Sequence, residues 1–93
     1  TIVFVELENT KIELMEPYGK DSPIKKFLEK NPGGGMHHIC LEVSDIQKSL
    51  ENLNNKKVTI LGTGKLTKGS HNKPILFLHP KEFCGTLIEL EEE

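Results

Sequence analysis

The phrase Thr10-Lys11-Ile12-Glu13-Leu14-Met15-Glu16-Pro17 returns at the end of the chain as Thr86-Leu87-Ile88-Glu89-Leu90-Glu91-Glu92-Glu93, with five of its eight positions identical. Each copy follows an apolar run, Ile2-Val3-Phe4-Val5 in the first case and Ile75-Leu76-Phe77-Leu78 in the second. Recurrence of this kind marks one unit of structure used twice. The second copy has a long lead-in from Gly35 onward, whereas the first begins almost at Thr1. The pattern predicts one and a half modules: the tail of a first module with a linker helix over 1–33, then a complete second module over 34–93.

A chain of 93 residues suits one small domain. Folding at this size buries only about two-thirds of the unfolded surface, so the core is thin. The net charge of −2 is spread without blocks, apart from the acidic end Glu91-Glu92-Glu93. That balance argues against nucleic acid or a membrane surface as a charge-driven partner. No apolar run approaches the roughly 20 residues that span a bilayer, and no signal or transit segment is visible in a chain that opens on Thr rather than Met. Cys40 and Cys84 make no disulfide framework and read as thiols of a reducing compartment.

Residues 2–7 are apolar and β-branched enough for a strand. Glu8-Asn9 reads as a tight turn, and 10–16 as a second strand, with Ile12 and Leu14 on one face and Lys11, Glu13 and Met15 on the other. Ser22-Pro23 predicts a helix start, with Ser as cap and Pro at the first helical position. Ile24, Phe27 and Leu28 give that helix a short apolar face, and Asn31-Pro32-Gly33-Gly34-Gly35 ends it in a flexible joint. Strict alternation over 36–43 predicts a strand, with His37, Ile39, Leu41 and Val43 on one face and His38, Cys40 and Glu42 on the other. Ser44, with Gln47 three residues on, predicts a capping box. Ile46, Leu50 and Leu53 form the buried stripe of the helix that follows. A short strand is expected at 58–61, a polar loop over 62–73, a central strand at 74–79, a turn over 80–85 and a last strand at 86–92. The order is β-α-β-β-β, in an α+β fold, and the first fragment supplies the last two strands of the same unit.

Alternation aims His38, Glu89 and Glu13 away from the aliphatic, helix-packing side. On the concave face of a curved sheet the three would converge. A neutral imidazole with carboxylates is a ligand set for a divalent ion such as Zn²⁺, Co²⁺, Mn²⁺ or Fe²⁺. The ordinary description of a strand glutamate is a solvated residue, and of a strand histidine a satisfied polar one. Repetition of Glu13 and Glu89 in one register weighs against coincidence, yet pattern alone leaves the metal site and the solvated face both standing. Other groups carry less. His37 reads as packed or as a strand start, His71 as a solvated loop residue, and His79-Pro80-Lys81 as a turn at least as readily as a ligand contact. Cys40 shares the His38 face and reads as a small apolar filler. Gly62-Thr63-Gly64-Lys65 lacks the spacing of a phosphate loop, and Leu66 stands where that loop needs a hydroxyl.

Taken in order, five phrases resemble the methylmalonyl-CoA epimerases of the vicinal oxygen chelate, or glyoxalase-like, superfamily. They are Glu13-Leu14-Met15-Glu16-Pro17, Asp21-Ser22-Pro23-Ile24, Gly34-Gly35-Met36-His37-His38-Ile39-Cys40-Leu41-Glu42-Val43, Lys73-Pro74-Ile75-Leu76-Phe77-Leu78-His79-Pro80-Lys81 and Gly85-Thr86-Leu87-Ile88-Glu89-Leu90-Glu91. The resemblance implies paired βαβββ modules curled around a divalent ion. It implies His38 and Glu89 as the second-module ligands and Glu13, where some members carry Gln, as a first-module ligand. The first-module His and one proton-transfer acid have no counterpart in the chain, which resembles the C-terminal two-thirds of such an enzyme.

The implied reaction is epimerisation of methylmalonyl-CoA at C2, an acyl-CoA thioester substrate, by metal-assisted proton transfer. The resemblance implies Glu89 as the catalytic base that remains in a fragment short of one ligand and one base. The carbon lies between a thioester carbonyl and a carboxylate, and an ion chelating both oxygens stabilises the charge left when the proton departs. Lys73 and Lys81 read as solvated lysines ahead of any contact with CoA phosphates. The alternatives are another isomerase of the superfamily, such as a glyoxalase-like enzyme, and a non-catalytic small-molecule-binding protein of the same fold. Sheet edges left by the missing strands favour association, and a homodimer is expected. The compartment expected by analogy is the mitochondrial matrix in an animal and the cytoplasm in a bacterium.

Overall fold

A computed structural model describes residues 2–22, 24–62 and 64–93. The chain divides into two compact units, 1–35 and 36–93. Among the described residues no helix is long and apolar enough to cross a membrane.

The first unit is a hairpin followed by a short helix. β1 (Ile2–Glu6) pairs antiparallel with β2 (Lys11–Met15), and the Leu7 N–H donates to the Thr10 carbonyl across the loop. α1 spans Lys25–Lys30. The cap expected from Ser22 is not formed. Ile24 is the N-cap and makes no side-chain cap hydrogen bond, while the Ser22 carbonyl accepts from the Lys25 N–H. Pro23, expected at the first helical position, lies outside the described residues. The helix ends at Asn31, whose backbone N–H donates to the Phe27 carbonyl.

The second unit runs β3 (His38–Val43), α2 (Ile46–Asn55), β4 (Thr67–Lys68), β5 (Pro74–Leu78) and β6 (Leu87–Glu92), with strand order β3-β6-β5-β4. β3 lies parallel to β6; β5 is antiparallel to β6 and to β4. Together the elements make a small α+β structure. The elements of this unit run β-α-β-β-β, with the second strand away from its expected place. The stretch expected as a strand at 58–61 reduces to one bridge, Ile60 to Leu78. The paired segment is instead Thr67–Lys68, inside the stretch expected as loop. Gly62 and Gly64 explain the interruption, because both hold positive φ, a conformation a continuing strand does not use.

Helix α2 is amphipathic and buries Ile46 and Leu50 against Leu76, Leu78 and Leu90. Burial of side chains of this size contributes about 1.5–3 kcal/mol each. Its cap differs from the expected Ser44–Gln47 box. Asp45 is the N-cap, and its Oδ1 accepts from the Lys48 N–H at 3.1 Å. Strand β3 runs to Val43, so the helix starts one residue later than the box requires. Glu92 Oε2 accepts from the Ile46 N–H at 3.1 Å, which ties the helix start to the last strand. The aliphatic row of β3 differs in burial from its expected place. Ile39 and Leu41 align with Ile88 and Leu90 on the helix side, yet both are exposed. β3 is an edge strand, and α2 packs on β5 and β6 instead.

The repeat survives as a register. Phe4 pairs with Glu13 and Phe77 with Glu89; Val5 pairs with Ile12 and Leu78 with Ile88; Val3 pairs with Leu14 and Leu76 with Leu90. The two hairpins are thus built from corresponding residues facing one another in the same way.

Candidate functional site

On β6 the pleat sends Ile88, Leu90 and Glu92 towards α2 and leaves Leu87, Glu89 and Glu91 on the opposite, open face of the sheet. Pairing with β3 puts His38 beside Leu87 and Cys40 beside Glu89 on that same face. The outcome is close approach of two of the expected site residues. His38 Nε2 lies 3.4 Å from Glu89 Oε1, and both side chains are 13% exposed.

The second nitrogen of His38 is engaged as well. His37 Nδ1 and His38 Nδ1 are 2.9 Å apart, with the rings edge to face. One ring donates and the other accepts. When His38 donates from Nδ1, its Nε2 carries the lone pair towards Glu89. When it accepts, Nε2 carries the proton and donates to the carboxylate. Only the first form suits a metal ligand, so His37 acts on the chemistry of Nε2 through the far side of the ring. The expected packing role of His37 is therefore incomplete.

The donors fit a divalent ion. Two donors each about 2.1 Å from one ion, at the tetrahedral angle, stand roughly 3.4 Å apart, and the observed separation is 3.4 Å. An imidazole nitrogen with a carboxylate oxygen suits a borderline cation. Glu13 sits half-buried in the middle of β2, opposite Phe4, in the unit 1–35. Among the described residues no three His, Cys, Asp or Glu side chains cluster to hold an ion. The structure therefore brings His38 and Glu89 together as a pair.

Beside the pair opens a pocket of about 360 Å³. Its wall is mainly apolar, with Leu61, Ile75, Phe77 and Leu87, and its polar groups include His37, His38 and Lys65. An apolar cleft with a few convergent polar groups is the usual form of a small-molecule site. Cys40 is exposed rather than filling a gap. His79 serves the turn: its Nδ1 accepts from the Lys81 N–H at the start of the 3₁₀ helix Pro80–Glu82.

One pair was not anticipated. His71, expected to be solvated, donates from Nδ1 to Glu91 Oε2 at 3.0 Å, and Glu91 is only 7% exposed. Glu91 lies two residues along β6 from Glu89 and so shares its face. No local sequence signal placed His71 there, because it reaches the strand from a turn 20 residues away.

A model of the glyoxalase/bleomycin resistance protein/dioxygenase superfamily matches residues 1–77. The chain belongs to this superfamily. It is 54% identical over 92 residues to the ethylmalonyl-CoA/methylmalonyl-CoA epimerase of Cereibacter sphaeroides, a match covering 99% of this chain and 69% of that protein. It is 56% identical over 94 residues to the mitochondrial methylmalonyl-CoA epimerase of Dictyostelium discoideum, covering 100% of this chain and 55% of that protein. The crystal structure of methylmalonyl-CoA epimerase from Mycobacterium tuberculosis superposes with a TM-score of 0.84 at 32% identity, covering 98% of this chain and 61% of that one. This superfamily member therefore spans 55% to 69% of the length of these curated relatives.

Proposed function

We propose that the chain is the part of a methylmalonyl-CoA epimerase that carries one complete βαβββ module, 34–93, and the last two strands and linker helix of another, 1–33. The observation that carries this reading is the 3.4 Å approach of His38 Nε2 and Glu89 Oε1 beside an apolar pocket, in a chain more than half identical to two such epimerases. The equal registers of the two hairpins support duplication of the module.

In this reading His38 and Glu89 hold a divalent ion such as Co²⁺, Mn²⁺ or Zn²⁺, with Glu13 as a third protein ligand. The bound ion supplies positive charge for the oxyanion that develops at a thioester carbonyl. Glu89 accepts the C2 proton of one epimer on a carboxylate oxygen, and in the reverse direction delivers a proton to that same face. A second base, facing the other side of the carbon, completes the inversion, and it belongs to the part of the relatives this chain does not span. The apolar pocket wall excludes water from the carbanion. For Nε2 to serve as a ligand, His38 donates from Nδ1 and His37 Nδ1 accepts. The substrate is an acyl-CoA thioester, the assembly a homodimer, and the compartment mitochondrial or cytoplasmic according to the organism.

The test is isotope exchange. A protein carrying this chain at its natural length, loaded with Co²⁺, is incubated with methylmalonyl-CoA in D₂O. Uptake of deuterium at C2, lost on chelation, is the expected result. No uptake in metal-replete protein removes the epimerase reading. Binding of the thioester without uptake points to the sequestering protein instead.

A further inference from the structure

We infer that His71 and Glu91 form a latch that seats the turn between β4 and β5 beside Glu89, and so fixes the direction in which the Glu89 carboxylate points. The placing of Glu89 as a working group rests on the function proposed above; the latch itself rests on geometry. Glu89 presents its two oxygens to different neighbours. Oε1 faces His38 Nε2 at 3.4 Å. Oε2 faces Gly69: a methyl group on that residue would lie 3.5 Å from Oε2 and 2.9 Å from Ile75 Cγ2. The last distance is shorter than side chains tolerate, and Ile75 is buried, so the backbone at residue 69 lies directly on the open face.

The turn that brings Gly69 there is closed by its own bonds. The Gly69 N–H donates to the Lys73 carbonyl at 3.0 Å, the Asn72 N–H donates to the Gly69 carbonyl at 2.9 Å, and Asn72 adopts φ +59°. Such a turn is tight within itself, but those bonds do not fix its place on the sheet. β4 adds only two residue pairs. His71 supplies a further attachment, reaching across the open face to a carboxylate two residues along β6 from Glu89. Glu91 is buried, and a buried carboxylate is costly unless partnered, which makes the link one the fold resists breaking. Glu89 is thereby held between the His38 ring and the latched turn. His71 and Glu91 are positioning residues: they act through Gly69 and Glu89.

The test uses the full chain and three variants, His71→Ala, His71→Asn and Gly69→Ala. Amide exchange at Gly69 and Asn72 and the side-chain carboxylate ¹³C resonance of Glu89 are followed by NMR without metal; Co²⁺ binding is then titrated calorimetrically. A hydrogen bond to a charged group carries enough energy that His71→Ala should speed exchange at both amides about tenfold to a hundredfold. It should also move the Glu89 resonance. Loss of an outer partner typically weakens a metal site about tenfold or more, and the Co²⁺ dissociation constant should rise on that scale. His71→Asn restores a donor and should recover most of all three effects. Gly69→Ala displaces the turn by contact and should move the Glu89 resonance with His71 and Glu91 both present. A folded His71→Ala protein with unchanged exchange rates and an unchanged Glu89 resonance overturns the latch. If the unaltered chain binds no Co²⁺, the metal reading fails on its own, and the two NMR readouts still decide the latch.

Discussion

The β1–β2 and β5–β6 hairpins carry the same phrase in the same register, and they differ in what covers them. Leu14 is 55% exposed, whereas its counterpart Leu90 is 8% exposed. In the second unit β6 lies between β3 and β5, with α2 packed on its aliphatic side. In the first, the described sheet has two strands, and Ile2, Val3, Phe4, Val5, Ile12 and Leu14 are all exposed. The difference separates two causes that sequence patterns mix. Alternation and β-branched residues decide that the phrase is a strand and which residues it faces. Burial is decided by neighbours the phrase does not encode. The same holds for the acids: Glu89 meets a histidine delivered by β3, His38, which lies 51 residues earlier in the chain.

The largest expected effect separates the two glutamates. On the epimerase reading proposed above, Glu89→Gln should lower C2 exchange about 10²- to 10⁴-fold, the usual contribution of a positioned general base, and should weaken Co²⁺ binding as well. Glu13→Gln keeps an oxygen donor and removes no proton acceptor at C2, so its loss should stay near tenfold, the low end for a perturbed ligand. Deuterium uptake and calorimetric titration measure both. Equal losses in the two variants would mean that the glutamates share one role and that the comparison of the hairpins misses it.

Next come the paired leucines. Leu90→Ala opens a gap between Leu50 and Leu76 in the core cluster and should cost about 2–5 kcal/mol in urea unfolding. Leu14→Ala removes an exposed side chain and should cost roughly 0.5 kcal/mol or less. A Leu14→Ala cost as large as that of Leu90→Ala would show that β2 is covered in solution.

Much of this was legible in the chain. The face assignment of β3 and β6 follows from period-two alternation, and it correctly sent His38 and Glu89 to one side. The stripe Ile46, Leu50 and Leu53 follows from helical spacing. Three features were not legible, each for a physical reason. The second strand of the module lies at Thr67–Lys68 because Gly62 and Gly64 turn the chain away from β5 and return it further along. Such a detour leaves no periodicity. Ile39 and Leu41 look like core residues and are exposed, since strand order, not alternation, decides which strand is at the edge. The His71–Glu91 pair joins a turn to a strand, and long-range pairing of two polar residues has no local signature.

The smallest expected effect compares the helices of the two units, and it tests how a serine was read. Ser22 and Ser44 both precede helices, and both suggest caps. In the second unit the cap is Asp45, whose Oδ1 accepts from the Lys48 N–H. Removal of such a cap costs about 1 kcal/mol. Glu92 also engages the Ile46 N–H, so the helix start keeps one partner when Asp45 is lost, and the cost of Asp45→Ala should fall in the lower half of the usual range of roughly 0.5–2 kcal/mol. At α1 the group that accepts is the Ser22 carbonyl, which alanine retains. Ser22→Ala should therefore leave stability within about 0.5 kcal/mol of the unaltered chain. Urea titrations followed by circular dichroism distinguish the two. A Ser22→Ala penalty matching that of Asp45→Ala would restore the serine hydroxyl as a cap and place the start of α1 earlier than Lys25.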